Sequence, residues 1–307
     1  MRKKIVIDCD PGHDDAIALL LLGNKDKFNL LGVSCAAGNQ TVDKTSRNAI
    51  NICEYLDIDV PIAKGAEVGL VQKSMICAEV HGESGLDGFT FPEYKKQLDN
   101  RPGAQLIIDS VMNNEDVTVI TTGAMTNLAL AIRLEPKIIH RIKEIIFMGG
   151  SVDNGNVSPA AEFNILGDPE AAHIVLTSGV PIKMVGLNVT RMVRVDELLI
   201  ERMNNINNKA SKLFCDLMKV FLKNQQSTFG IKAAPLHDPV TVASLIDEEC
   251  VTFKPMNVEI DLSHGTSYGR TNCDVFDYLH REHNCLVAVD INQEKFWKII
   301  EEGLRYY

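Results

Sequence analysis

At 307 residues, with 45% apolar and 23% charged residues, the chain is long enough to bury one large α/β core or two small ones. A net charge of −10 argues against nucleic acid or an anionic membrane as the main partner. No run approaches the roughly 18 uninterrupted apolar residues of a membrane helix. The start, MRKKIVIDCD, reaches aspartates too early to hold a secretory apolar region of roughly 7–15 residues, so a cytoplasmic location is expected. The eight cysteines (9, 35, 53, 77, 215, 250, 273 and 285) show no CxxC pair and no zinc spacing. Reduced core thiols, in keeping with a reducing compartment, are the expectation.

Ile5 to Ile7 is a β-branched apolar strand that runs into Asp8, Asp10, a Pro11-Gly12 turn, Asp14 and Asp15. The apolar residues Ile17 to Leu22 then suit a buried helix. Asn29 to Ala37 reads as a second buried strand, followed by a helix capped at Thr41 or Asp43 and ending near Leu56. Val60 to Ala63 is a short strand, and residues 65 to 101 form a long loop of the kind that is usually functional. From Ala104 the pattern alternates: helix to Met112, strand 117 to 122, helix 126 to 133, strand 144 to 150, loop 151 to 159, helix 169 to 177, then the strand PIKMVGL. Helices are predicted within 195 to 225, with a loop over 222 to 235 and a helix to Ile246. Extra strands and a closing amphipathic helix, EKFWKIIEEGL, follow. This order predicts an α/β fold: a single open, mostly parallel, Rossmann-like sheet with helices on both faces, in one domain over 1–307.

Several strands end in polar or glycine-rich positions: Asp10, Asn39, Thr122, Met148 before Gly149-Gly150, and Asn188. A parallel sheet brings such ends to one edge, where ligands collect. Four aspartates within eight residues repel one another unless a cation neutralises them, and hard oxygen donors select Ca²⁺ or Mg²⁺ over zinc. The plainer alternative has Asp14 and Asp15 complementing a helix dipole while Asp8 and Asp10 belong to a turn.

The stretch DCDPGHDD resembles the amino-terminal signature of the inosine–uridine-preferring nucleoside hydrolases, calcium-dependent N-ribohydrolases. AGNQ (37–40), HGESG (81–85), TTGAMTNLALA (121–131), FMGG (147–150), AEFNILGDPEAA (161–172) and LHDP (236–239) match in the family's order. The resemblance implies a nucleoside hydrolase fold and hydrolysis of the N-glycosidic bond of ribonucleosides. It further implies Ca²⁺ held by Asp10, Asp15, Asp238 and the Thr122 carbonyl, with Asp14 as general base. Asn39, Asn156, Glu162 and Asn164 match ribose-binding positions, with Met148 against the sugar, and Asp8 is expected to support the site from behind. It implies a homodimer or homotetramer taking a small nucleoside as its partner, with no nucleic acid or membrane partner.

By the same resemblance, His237 and His81 match nucleobase-side positions, His237 with a catalytic part at the leaving base. His13 has no role to carry over and is expected at the surface or behind the site. Relatives that accept purines tend to carry an aromatic residue at the position of Gln225. Those preferring pyrimidines tend to carry glutamine there and tyrosine at the position of Phe229. Here the glutamine is kept and the hydroxyl lost, which favours uridine and cytidine, with a purine-preferring or broad-specificity hydrolase as the alternative. More distant readings are a haloacid-dehalogenase-type phosphatase, which the Pro11-Gly12 continuation disfavours, and a non-catalytic nucleoside- or Ca²⁺-binding protein.

Overall fold

The apolar run at the amino terminus becomes β1 (Lys3–Cys9), and the remaining elements are laid down around it. The computed structural model describes residues 2–307. The other strands are β2 (Phe28–Cys35), β3 (Ile62–Lys64), β4 (Val117–Thr121), β5 (Ile142–Met148), β6 (Ile182–Val185), β7 (Arg194–Val195), β8 (Ala234–Pro235), β9 (Val251–Met256), β10 (Val258–Ile260), β11 (Thr271–Cys273) and β12 (Cys285–Ile291). The helices are α1 (His13–Leu22), α2 (Val42–Tyr55), α3 (Ala78–His81), α4 (Gly103–Met112), α5 (Thr126–Leu134), α6 (Phe163–Gly167), α7 (Pro169–Leu176), α8 (Leu187–Thr190), α9 (Glu197–Asn204), α10 (Lys209–Phe229), α11 (Pro239–Ile246) and α12 (Gln293–Arg305).

Eight strands form one sheet in the order β3-β2-β1-β4-β5-β6-β12-β9, with β7-β8 and β10-β11 as separate pairs. All neighbours in the large sheet are parallel except the edge pair β12-β9. The expected mostly parallel α/β architecture is therefore present. The chain first builds outward from β1 to β2 and β3, then returns to set β4 on the other side of β1. Neighbouring connections diverge at that point, opening a crevice at the carboxyl ends of β1 and β4. Asp10 leaves one of these strands and Thr122 the other.

Strand alternation decides what each residue of β1 meets. Ile5, Ile7 and Cys9 face a core shared with α1, α2 and α10 to α12, while Val6 faces a second core built on α4, α5 and α7. All ten residues of α1 are buried. Its start is fixed by Asp15, whose Oδ2 accepts the Gly12 N–H at 3.0 Å, so one carboxylate both caps the helix and faces the crevice.

Two elements differ from the sequence reading. Residues 222 to 229, read as the start of a loop over 222 to 235 but with Gln225 and Phe229 on a plausible helix end, continue α10, which ends at Gly230 in the left-handed conformation (φ 70°). The short helix α6 was not expected; Glu162 creates it by accepting the N–H groups of Asn164 and Ile165. The long loop at 65 to 101 holds little regular structure besides α3, as expected. Leu20 has no exposed surface, so Leu20→Ala should lower unfolding free energy by about 2–5 kcal/mol, measured by urea denaturation.

Candidate active site

Asp10 follows β1 and is held in one pose. Its Oδ2 accepts the Asn39 N–H at 2.8 Å, and its backbone carbonyl accepts from Asn39 Nδ2 at 3.0 Å. Gly38 and Gly123 press against it: a Cβ at Gly38 would lie 2.0 Å from Asp10 Oδ2, and one at Gly123 would lie 2.9 Å from Oδ1. Asp15 accepts from Thr122 Oγ1 at 2.7 Å and from Asn39 Nδ2 at 2.9 Å. Asp238 begins α11, and ligand atoms of Asp14, Asp15 and Asp238 all lie within 4.8 Å of one another, each residue buried.

This donor set fits a cation. Asp10 Oδ1 is buried with no hydrogen-bond partner, an orphan that a positive charge would satisfy. Burial, then the charge of Asp15, raises the pKa of Asp14 to about 7. Burial, followed by neighbouring carboxylates, pushes Asp10 and Asp238 well above the usual range, and burial raises Asp15. Asp14 belongs to that trio and lines the cavity, whereas Asp10 joins the cluster from behind through Asn39.

Above the carboxylates lies a cavity of about 370 Å³, within the ordinary range for a small-molecule site. Of the site residues read from sequence, Asp14, Asn39, His81, Thr122, Met148, Asn156, Glu162, Asn164, Gln225, Phe229, His237 and Asp238 line it. Asp10 and Asp15 lie just behind that lining, joined to it through Asn39 and Thr122. Asn188 does not belong to it: its side chain bonds Ala288 O and the Val152 N–H, tying a loop to the sheet. Asp8 faces the other side of the sheet, where Asn127 Nδ2 donates to it at 2.9 Å, and burial raises its pKa to about 7.

The asparagines differ in what they leave available. Asn39 spends its amide N–H groups on Asp10 and Asp15, and Asn164 spends its own on Thr122 O (2.8 Å) and Met148 O (3.1 Å). Each therefore offers its carbonyl oxygen to the cavity. Asn156 accepts the Phe163 N–H through Oδ1, which leaves its amide N–H groups to act as donors. Glu162 accepts from Gly150, Asn164 and Ile165 N–H groups, and burial still raises its pKa to about 7.

The histidines are buried and held neutral. His81 Nδ1 accepts the backbone N–H of His13 at 3.2 Å, so the proton of the neutral ring sits on Nε2. His237 Nδ1 lies 2.7 Å from Thr190 Oγ1, and burial lowers its pKa to about 4. His13 is not at the surface: it is fully buried, its Nε2 donates to Asp87 O at 2.8 Å, and its ring stacks on Phe221. Sequence reading missed Arg191, Phe221 and the apolar lining residues Val80 and Ile231. Phe221 lies four and eight residues before Gln225 and Phe229 on the same face of α10, a spacing that would have directed it at the same cavity.

The geometry is that of an enzyme site in which buried carboxylates face a cavity lined by both polar and apolar side chains. The inosine-uridine preferring nucleoside hydrolase family matches residues 5–298, and the chain belongs to that family. It is a ribonucleoside N-ribohydrolase. It is similar to the pyrimidine-specific ribonucleoside hydrolase RihB of Escherichia coli O1:K1 / APEC, at 40% identity over 307 residues, covering 100% of this chain and 98% of the relative. RihB of Escherichia fergusonii is similar to the same extent. Among solved structures, the purine-preferring ribonucleoside hydrolase from Gardnerella vaginalis superposes with a TM-score of 0.91 at 30% identity, covering 99% of this chain and all of that one. The plant nucleoside hydrolase PpNRh1 does so with a TM-score of 0.92 at 29% identity and 99% coverage of each. No helix among the described residues is long and apolar enough to cross a membrane.

Raised carboxyl pKa values have a sign that can be tested. Between the ordinary 3.8 and the folded value of about 7, the cation-free folded state holds a proton on Asp14 that the unfolded chain has released. Its contribution to stability therefore falls as pH rises through that window. The buried histidines act in the opposite direction, but do so with or without metal. The gain in Tm on adding Ca²⁺ to chelator-treated protein should therefore grow from pH 5 to pH 8 in a thermal-shift series. A gain that is flat with pH contradicts the assignment.

Proposed function

We propose that the chain hydrolyses pyrimidine ribonucleosides, uridine and cytidine, to ribose and free base with Ca²⁺ as resident ion. The observation that carries this reading is the buried group Asp14, Asp15 and Asp238, with the unpartnered Asp10 Oδ1, beneath the cavity at the β1/β4 crevice. Asp10, Asp15, Asp238 and the Thr122 carbonyl would hold the ion. Thr122 O already accepts from Asn164, and its second lone pair remains for a cation. A hard dication there supplies charge neutralisation, an anchor for the ribose diol and acidification of a water.

The protein groups perform the remaining chemistry. Cleavage passes through an oxocarbenium-like sugar, so water must arrive with its proton already claimed and the ring's positive charge must be favoured. Asp14 takes that proton: it lines the cavity beside Asp15 and Asp238, where a water on the ion would lie within its reach. Asn39, Asn156, Glu162 and Asn164 hold the sugar hydroxyls, and the soft Met148 side chain lies against the ring. At the leaving base, His81 and His237 are neutral; His81 supplies its Nε2–H as a donor, and His237 is oriented by Thr190 through Nδ1. His13 supports His81 from behind through its backbone N–H.

Base preference rests on the α10 wall. Gln225 is buried and Phe229 half-exposed, and both line the cavity. Glutamine can pair with the amide edge of a pyrimidine, and an open phenyl face can stack on it. The 40% identical relatives named as pyrimidine-specific support this choice over the purine-preferring alternative. One continuous sheet spanning Lys3 to Ile291 supports a single domain over 1–307. A cytoplasmic homodimer or homotetramer completes the proposal.

A reducing-sugar assay over a nucleoside panel, with and without chelator, should show release from uridine and cytidine that depends on Ca²⁺. kcat/KM for uridine should exceed that for inosine by at least about tenfold. A clear inosine preference overturns the base assignment, and no release from any nucleoside overturns the reaction. Asp14→Asn should keep Ca²⁺ bound while kcat falls by about 10²–10⁴-fold; near-normal kcat with Ca²⁺ present removes Asp14 as the base.

A further inference from the structure

The cavity has two unlike walls above its carboxylate floor. One is built from α3 and α10 and offers Val80, His81, Phe221, Gln225 and Phe229, a surface suited to a flat base. The other carries the polar groups Asn156, Glu162 and Arg191, beside Gly155, Val157, Phe163 and Leu187. If the diol of the sugar sits on the floor and the base lies along the α10 wall, the hydroxymethyl group at C5′ falls to the polar wall.

Arg191 is the cationic side chain of that lining, and its place is fixed. It follows α8, with its backbone N–H bonded to Leu187 O, one residue after the Thr190 that orients His237. Its guanidinium donates through Nη1 to Asn154 O at 3.2 Å and through Nη2 to Gly155 O at 2.7 Å. The loop carrying these carbonyls is otherwise knotted on itself. Gly155 N–H bonds Pro159 O, and the N–H groups of Asn156, Val157 and Ser158 converge on Ala161 O. Gly155 packs so closely that a Cβ there would lie 2.0 Å from Ala161 O. Among the described residues, Arg191 alone donates side-chain hydrogen bonds to residues 153 to 158 from a distant part of the chain.

We propose that Arg191 is a positioning residue for the 5′ end of the sugar: by clamping the Asn154–Gly155 corner it sets the pose of Asn156 beside Glu162, where the 5′-hydroxyl is recognised. Two charge-assisted bonds from a rigid fork hold the corner in a way a flexible ammonium does not. The clamp therefore determines how much of the binding of the 5′-hydroxyl reaches the transition state. The assignment rests on the nucleoside hydrolase reading above, and its test separates the two.

Steady-state kinetics on uridine and on 5′-deoxyuridine should be compared for the parent enzyme, Arg191→Met and Arg191→Lys. The Met variant keeps the aliphatic stem but no donors. It should lose about tenfold to hundredfold in kcat/KM on uridine and less than about threefold on 5′-deoxyuridine, with an unchanged Tm. The Lys variant, able to reach one carbonyl, should fall between. Equal losses on both substrates, or no loss on uridine, overturn the assignment while leaving the functional reading intact. Failure of the parent enzyme to release sugar from either substrate overturns the functional reading and the clamp with it.

Discussion

The structure depends on holding several carboxylates together in a volume from which water is largely excluded. Asp10, Asp14, Asp15 and Asp238 are each at most 5% exposed. Their charged forms are disfavoured both by burial and by one another. An apolar core would avoid that cost entirely, so the cluster marks a functional site whose donor set fits a cation. The fold organises the same residues structurally: Asp15 caps α1, Asp238 opens α11, and Asp10 is gripped by Asn39 between two glycines. Because the acids also define the starts of buried helices, they cannot swing apart to relieve their repulsion.

From that constraint the arrangement of the cavity follows. The crevice exists because β4 lies on the opposite side of β1 from β2, and the acids sit where the two strands diverge. Hydrogen bonds then fix what each neighbour can offer. Asn39 and Asn164 are turned so that their N–H groups face protein oxygens, while Asn156 is turned the other way. His81 and His237 are fixed through Nδ1 by a helix N–H and a threonine hydroxyl. The cavity thus presents a defined pattern of donors and acceptors before any ligand enters, which lowers the ordering cost of binding.

Much of this was legible in the sequence because its cues are local. A β-branched run, a Pro-Gly turn and clustered acids announce strand, turn and helix, and the alternation of helices and strands announces the parallel sheet. What was not legible depends on distant partners. KNQQST at 223 to 228 is polar enough to resemble a loop, yet α10 carries it because its inner face packs against α3. Asn188 resembled a site residue by its place after a strand, whereas the side chain that reaches the cavity is Arg191, one turn later. His13, read as lying at the surface or behind the site, takes the second place, because residues 78 to 87 fold over it and nothing local predicts that they do.

The most direct test of the account is a crystal structure with Ca²⁺ and a ribonucleoside that cannot be cleaved. One Ca²⁺ should lie about 2.3–2.6 Å from oxygens of Asp10, Asp15, Asp238 and the Thr122 carbonyl, with the ribose diol completing its shell and Asp14 facing a water. An empty acidic cluster at saturating Ca²⁺, or a sugar bound with its diol away from those carboxylates, would contradict it.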